Sequence, residues 1–347
     1  MLPYLYLLII YLLSARGLVK RLSNKRWIYP AVLVGYVLLA YWSVFITGAM
    51  FFEILTLWCI AIFLGSPILL GTLFFYARKQ FKILAPLSLL SLIVVAGTGA
   101  YAFVIEPLNL EIRREKIVSP KISSPVRLAI LADIQTDNVG FFESLLFQKV
   151  MEEKPDLIVF PGDYIQSFPD QRDEQIHRLN QVMKEAKLSA PLGIYAVDGD
   201  QDQYDGWEKI FSGLQVKTFS KSETTNLPEI SITALSRHDS ELAEYKIPED
   251  RRFQIVFGHM PEFSMKIKKG DLLIAGHTHG GQVQFPGQGP LLTYSKIPRD
   301  LAGGCFETVG KDRYLIVSRG IGMERGGAPR LRFFCRPEIV IVDIIPK

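Results

Sequence analysis

Two histidines stand two residues apart, directly after a short apolar run. The segment DLLIAGHTHGGQV places His277 and His279 behind the apolar residues Leu272–Ala275 and Gly276. The chain has 347 residues but only five histidines, so two of them fall in one turn. Glycines on both sides allow backbone and ligand to approach closely, and imidazole is the commonest metal ligand in proteins. The segment therefore favours a metal site over two unrelated surface histidines.

Four other apolar runs also end in side chains that can bind a metal. In α/β proteins, ligands bind at the carboxyl ends of the strands, so we expect these side chains to meet the histidine pair at one edge. They are Asp133 and Gln135 after Val126–Ala132, Asp163 after Leu157–Phe160, Asp200 and Gln201 after Gly193–Val197, and His259 after Phe253–Phe257.

Single members of this set have ordinary interpretations. Asp133 could cap a following helix, and Asp163 in the sequence PGDY could be a turn residue. Asp200 and Asp202 could form a calcium loop, but the downstream glutamate of an EF-hand is absent. His259 alone is typical of a strand end. The order of the whole set along the chain is what favours one shared site.

Charge and cysteine content narrow the class of protein. Residues before Glu106 carry eight Lys/Arg and one acid, whereas the rest carry 31 Lys/Arg and 34 Asp/Glu. The soluble part therefore has no basic excess, and we expect no nucleic-acid partner. Cys305 and Cys335 could pair in an oxidising compartment, but two buried free thiols are the favoured interpretation, and no CxxC spacing exists.

Residues 1–105 are predicted to be a transmembrane region of three to four helices. Trp27–Thr47, Met50–Ala77 and Ile83–Ile105 each hold roughly 20 apolar residues or more, enough to cross a hydrocarbon core of ~30 Å. Leu2–Ala15 is shorter, and it is either a further span or an interfacial segment. A cleaved signal peptide is not expected, because a basic n-region is missing.

Loop charges predict how this region is oriented. Under the positive-inside rule, the loops rich in Lys and Arg are cytoplasmic, so the chain after Ile105 emerges outside the cytoplasmic membrane. Arg113, Arg114 and Lys116, just beyond the last span, weaken this prediction. The spans hold one acid, Glu53, and no paired charges, which favours anchoring in the bilayer over transport. The basic loop residues are Arg16, Lys20, Arg21, Lys25, Arg26, Arg78, Lys79 and Lys82.

The remainder reads as a linker, residues 106–125, followed by one α/β domain, residues 126–347. Helical spacing in Phe141–Glu153 and Gln171–Lys187 alternates with strand-like runs, which predicts a parallel sheet. After Val216 the elements are mainly short strands separated by Gly and Pro turns. This change predicts a second sheet packed on the first.

The order D-x-Q, G-D, G-D-Q-D, H and G-H-x-H resembles the calcineurin-like metallophosphoesterases. Their usual pattern is D-x-H, G-D, G-N-H-D/E, H and G-H-x-H, and the resemblance runs from Val126 to the C-terminus. Ser318–Gly322 and Arg336–Ile339 resemble the membrane-anchored branch of that family. The resemblance implies N-terminal transmembrane helices followed by a four-layer α/β/β/α sandwich that binds two divalent metal ions, with Mn, Zn, Fe or Mg as candidates.

The resemblance also implies a role for each matching residue. Asp163 would bridge both metals and contribute to catalysis. Asp133 and His279 would hold the first metal, and His259 and His277 would hold the second.

Three positions depart from the usual pattern. Gln135 replaces a first-metal histidine and offers only a neutral oxygen, so the first site should be weaker or shifted toward Mn²⁺ or Mg²⁺. Asp200 replaces an asparagine ligand of the second metal and adds negative charge. Gln201 replaces a histidine that assists phosphoryl transfer, and loss of such a general acid often costs ~10²–10⁴-fold in rate. We expect the metal-ligand set to include Gln135 and Asp200, and the catalytic set to be Asp163, Asp200 and Gln201.

Together these features predict an integral membrane phosphoesterase. Metal-activated water would hydrolyse a phosphodiester or pyrophosphate bond in a phosphate-containing small molecule or lipid-linked substrate. The alternative is a catalytically degenerate domain that binds metal or phosphate, or mediates interactions, which the glutamines at 135 and 201 favour. A transporter with a regulatory domain is the weakest alternative.

Overall fold

The computed structural model describes residues 51–79, 81–204, 206–293, 295–310 and 312–347. The chain divides into two compact units. Among the described residues, the first comprises residues 51–104 with Gly327–Arg330, and the second comprises Ile105–Gly326 with Leu331–Lys347.

Two long apolar helices lie at the start of the described chain. Helix α1 spans Phe51–Ala77 and helix α2 spans Leu84–Leu108, and both are long and apolar enough to cross a membrane. They correspond to two of the predicted spans. The predicted segments Leu2–Ala15 and Trp27–Thr47 lie outside the described residues.

The first sheet of the second unit is mixed. Its strands are β1 (Glu111–Ser119), β2 (Val126–Ile130), β3 (Leu157–Phe160), β4 (Ile194–Val197), β5 (Val216–Phe219) and β14 (Glu338–Pro346). Their order is β1-β14-β2-β3-β4-β5. Strands β2 to β5 run parallel, while β14 runs antiparallel to β2 and parallel to β1. The carboxyl ends of β2, β3 and β4 therefore share one edge.

The second sheet packs against the first. Its strands are β6 (Glu223–Asn226), β7 (Ile230–Ala234), β8 (Phe253–Phe257), β9 (Leu272–Ala275), β12 (Cys305–Gly310) and β13 (Arg313–Val317), and β10 (Gln284–Phe285) pairs separately with β11 (Gly289–Pro290). The order is β12-β13-β9-β8-β7-β6. The central four strands run parallel, and each edge strand is antiparallel to its neighbour.

Helices cover the outer face of each sheet. Helices α3 (Phe141–Glu152) and α4 (Pro169–Glu185) belong to the core on the first sheet, and α6 (Phe263–Lys266) and α7 (Arg299–Ala302) belong to the core on the second. Helix α5 (Arg237–Leu242) follows β7. Side chains alternate between layers, as a strand requires. In β9, Leu272 and Ile274 face the other sheet, whereas Leu273 and Ala275 face the helices. The predicted four-layer α/β/β/α sandwich is confirmed.

The predicted linker is partly wrong, because residues 106–125 contain β1. This strand pairs with β14 from Glu111 to Ser119. Its run of charged residues, Arg113 to Lys116, conceals the strand pattern. Charges are typical of strands at the edge of a sheet, where they discourage pairing with another chain. Glu106 is also fully buried and accepts a hydrogen bond from the backbone N–H of Cys335.

Candidate metal centre

The predicted ligands follow the carboxyl ends of β2, β3, β4, β8 and β9, and the structure brings them to one place between the sheets. Several adopt backbone conformations that side chains rarely occupy. The φ angle is 51° at Asp133, 58° at Asp163, 70° at His277 and 48° at His279. Such left-handed residues turn the chain sharply, cluster at functional sites, and hold only where the surrounding fold enforces them. Here the turns direct side chains from both sheets toward each other.

One group of ligand atoms is tightly convergent. His259 Nε2 lies 3.4 Å from Asp163 Oδ2 and 3.3 Å from His277 Nδ1, and His277 Nδ1 lies 3.2 Å from Asp200 Oδ2. Bonds of about 2.0–2.1 Å to one cation place neighbouring tetrahedral ligand atoms about 3.4 Å apart. The spacing of Asp200, His259 and His277, whose ligand atoms all lie within 4.8 Å of one another, therefore fits a divalent cation held between them, with Asp163 beside His259.

The protonation pattern of His259 suits that role. Its Nδ1 lies 3.0 Å from the carbonyl oxygen of Pro161, which can only accept a hydrogen bond. Nδ1 therefore carries the proton, and Nε2 presents its lone pair to Asp163 and His277. A metal-binding histidine commonly has its other ring nitrogen fixed by such a partner.

A second group surrounds Asp133. Ligand atoms of Asp133, Asp163 and His259 lie within 4.8 Å of one another. The family resemblance instead pairs Asp133 with His279, which this group does not contain. The state of two atoms favours the pairing of Asp133 with His279. Among the described residues, Asp133 Oδ2 and His279 Nδ1 are both buried without a hydrogen-bond partner.

Gly320 shows that these two orphaned atoms border the same space. A Cβ at this glycine would lie 2.9 Å from Asp133 Oδ2 and 3.2 Å from His279 Nδ1. A Cβ at Gly276 would also meet Asp133, at 2.7 Å from Oδ1. Buried polar atoms without partners are costly, so a cation at this position would satisfy both atoms. The donor set fits a first metal ion here.

Asp202 supports the site, although the sequence analysis gave it no role. Its buried carboxylate accepts backbone N–H groups from Asp163 at 2.7 Å, Gly199 at 2.9 Å and Tyr164 at 3.1 Å. These contacts join the loops after β3 and β4. The acidic fourth position of the G-D-Q-D motif was the available signal.

Arg237 is a second residue that the sequence analysis missed. Its Nε donates to Asp200 Oδ1 at 2.5 Å, while Asp200 Oδ2 faces His277. Arg237 therefore offsets the carboxylate that stands where the usual motif has a neutral asparagine. No motif signals it, because it belongs to α5, 37 residues away in sequence.

The two glutamine departures occupy different positions. Gln135 is fully buried, and its Oε1 lies against Nε2 of His279. Gln201 is half-buried, and its backbone N–H donates to Asp163 Oδ1 at 2.7 Å.

Burial and local charge shift the pKa values of the carboxylates in opposite directions. Burial raises the pKa of Asp133 to about 7, and burial together with neighbouring carboxylates raises the pKa of Asp163 well above its usual range. Burial also acts to raise the pKa of Asp200, but the hydrogen bond with His277 and nearby positive charges outweigh it and lower that pKa. Buried acids brought together in this way are typical of functional sites.

Burial keeps His259 and His279 neutral. Burial lowers the pKa of His259 to about 3, and burial with the charge of Arg332 lowers that of His279 well below its usual value. Neutral imidazole is the form that binds metals.

Comparison with known proteins agrees with this geometry. The profile of the family described as calcineurin-like phosphoesterase matches residues 126–281, which contain all the predicted ligands. Over residues 126–281 the chain is a member of the calcineurin-like phosphoesterase superfamily. It is a hydrolase of the class that acts on phosphoester bonds, and members of this superfamily use a centre of two metal ions.

Three relatives illustrate the range of matches. An uncharacterized metallophosphoesterase of Bacillus subtilis, YkuE, is 28% identical over 72% of this chain and 91% of its own. The phosphodiesterase YaeI of Escherichia coli is 26% identical over 72% of this chain and 93% of its own. The UDP-2,3-diacylglucosamine pyrophosphatase LpxG of Chlamydia muridarum is 24% identical over 58% of this chain and 77% of its own.

Proposed function

We propose that the protein is a membrane-anchored, metal-dependent phosphoesterase that hydrolyses a phosphodiester or pyrophosphate bond. The observation that carries this proposal is the convergence of His259, His277, Asp163 and Asp200 at spacings of 3.2–3.4 Å. Unrelated surface residues have no reason to converge in this way at the ends of four strands from two sheets.

The residues have distinct proposed roles at the two metal positions. Asp133 and His279 would hold the first ion, and Asp200, His259 and His277 would hold the second. Asp163 would contribute to both ions, and Gln135 would lie beside the first. When bound, two such ions supply an activated water and neutralise charge on the phosphoryl oxygens. The chain fixes these ligands through Asp202 and the Pro161 carbonyl oxygen.

Two relatives and the apolar helices support the substrate class. YaeI is named a phosphodiesterase and LpxG a pyrophosphatase of a diacylated sugar nucleotide. Helices α1 and α2 are candidate membrane spans, so a lipid-linked or other envelope substrate would lie within reach of a tethered domain. Gln201 fits this class, because diester and pyrophosphate leaving groups can depend less on a proton donor than other leaving groups do.

Turnover of a chromogenic phosphodiester tests the reaction. Full-length protein in detergent is assayed with added Mn²⁺, beside an Asp163→Asn variant. Metal-dependent turnover that the variant loses is the expected result. No turnover of diesters or nucleotide pyrophosphates with Mn²⁺, Mg²⁺ or Zn²⁺ would instead favour the second candidate, a phosphate-binding domain without catalysis. The glutamines at positions 135 and 201 are the observation that favours this second candidate.

Labelling tests the proposed location of the domain outside the cytoplasmic membrane. Of the native free thiols, Cys305 and Cys335 are buried, and Cys59, which is half-buried, lies within the candidate span α1 and is replaced by serine for this test. A single cysteine at exposed Lys221, introduced as Lys221→Cys, provides an accessible thiol. Reaction with a membrane-impermeant maleimide in intact cells is expected. Reaction only after lysis would place the domain in the cytoplasm.

A further inference from the structure

We infer that Gln135 is a positioning residue for His279 rather than a ligand of the first metal ion. This inference rests on the proposed function, because it assigns a role within the same centre. It concerns a position where the usual family motif has a histidine ligand.

The direction of the Gln135 amide is fixed by its partners. Its Nε2 lies 2.9 Å from Gln166 Oε1 and 3.1 Å from Glu324 Oε2. A carboxylate can only accept hydrogen bonds, so the amide nitrogen must face Glu324. The carbonyl oxygen of Gln135 consequently faces His279.

That orientation fixes the tautomer of His279. The carbonyl oxygen of Gln135 can only accept, so His279 Nε2 must carry the proton. Nδ1 of His279 then presents a lone pair. This buried atom has no hydrogen-bond partner among the described residues, and both it and Asp133 Oδ2 lie close to Gly320. In many metal sites a carboxylate accepts a hydrogen bond from the metal-binding histidine. Here the amide of Gln135 lies between the carboxylate of Glu324 and the ring of His279 and connects them.

The residues that hold Gln135, Gln166 and Glu324, are themselves held in place by hydrogen bonds. Gln166 Nε2 donates to Glu324 Oε1 at 2.6 Å, and the backbone N–H of Glu324 donates to Gln282 Oε1 at 2.6 Å. The backbone N–H of Arg325 also donates to Gln166 Oε1 at 2.6 Å. Both oxygens of Glu324 therefore face amides whose orientation is set, and Gln135 is not free to rotate.

Gln135→Glu separates a positioning role from a ligand role by the sign of its effect. A ligand oxygen that becomes a carboxylate should bind the first ion more tightly. A positioning amide that becomes a carboxylate loses both donated hydrogen bonds and is repelled by Glu324, so it should turn away from His279 and binding should weaken. Loss of such a partner typically costs about 10–100-fold in metal affinity.

The measurement is calorimetric titration of full-length protein in detergent with Mn²⁺. The first-ion step is identified as the one that His279→Ala removes. We expect Gln135→Glu to weaken that step about 10–100-fold and to leave the other unchanged. The double variant Gln135→Glu with Glu324→Gln should recover most of the loss, because the new amide can donate to the new carboxylate.

Gln181→Glu is the matched control, since its amide also donates to a carboxylate, Glu185 at 2.8 Å, but on the exposed face of α4. It should change neither step. If Gln135→Glu unfolds, Glu324→Ala makes the same test and should weaken only the first-ion step. Tighter or unchanged first-ion binding in these variants would overturn this inference alone. Absence of any Mn²⁺ binding by the wild-type protein would overturn the proposed function as well.

Discussion

The two halves of the candidate centre are built differently. The second-ion half has three side chains, Asp200, His259 and His277, whose ligand atoms already converge. The first-ion half offers Asp133 and His279, whose facing atoms find no hydrogen-bond partner in the described part of the chain, and it has a glutamine where the usual motif has a third ligand. Besides Asp163, the second-ion half therefore has three anionic or imidazole ligands and the first-ion half has two. We expect one tight and one weaker ion.

The largest effect should come from Asp163, the residue that we propose serves both halves. Asp163→Asn keeps the size of the side chain but removes its charge. We expect both Mn²⁺ binding steps to weaken and turnover to fall by more than about 100-fold, beyond the loss typical of an outer-shell partner. Calorimetry and the diester assay measure the two effects.

Asp300→Asn provides the control for that experiment. Asp300 is exposed in the first turn of α7, far in sequence from every predicted ligand. It should leave binding and turnover unchanged. If Asp163→Asn weakened only one binding step, Asp163 would belong to a single half.

Paired histidine variants should reveal the asymmetry directly. His279→Ala leaves the first half with only Asp133 and the shared Asp163, so we expect that ion to be lost, with affinity reduced more than about 100-fold. His277→Ala leaves Asp200, His259 and Asp163 around the second ion, so we expect a smaller reduction, about 10-fold, which is comparable to the loss of an outer-shell partner. After dialysis, we expect His279→Ala to retain one metal ion per chain and His277→Ala to retain close to two. Equal losses would contradict the proposed difference between the halves.

The sequence predicted that these side chains would meet, because each of them follows a buried strand. Short runs such as Leu157–Phe160 and Leu272–Ala275 are continuous in apolar residues, as strands covered on both faces must be. Each run ends at a polar residue, and the parallel topology takes these ends to one edge. The same apolar runs thus predicted both the strands and the polar side chains that meet beyond their ends.

The supporting contacts could not be predicted in the same way. Arg237 and Glu324 reach the centre from distant segments, and nothing in their local sequence distinguishes them from surface charges. The left-handed backbone of His277 and His279 was also hidden, since it depends on tertiary contacts. The edge strand β1 was missed because its charged residues mask the apolar pattern.

Asp202 should matter more for stability than for either ion. Asp202→Ala leaves three buried backbone N–H groups without their acceptor, and one such loss typically costs about 1–3 kcal/mol. We expect a lower midpoint in chemical denaturation of the metal-free protein. Asp202→Asn, which keeps one oxygen acceptor, should lose less. Stability unchanged in Asp202→Ala would mean that water replaces the carboxylate in joining the loops after β3 and β4.

The smallest effect should come from restoring the usual asparagine in the second half. Asp200→Asn removes a charged ligand, but Arg237 already offsets much of that charge through its contact with Oδ1. We therefore expect second-ion affinity to fall by less than about 10-fold, the lower bound for altered metal sites. In an Arg237→Gln background the carboxylate keeps its full charge, so the same substitution should cost more. Equal costs in the two backgrounds would show that Arg237 does not moderate the second half, and the asymmetry would then rest on ligand number alone.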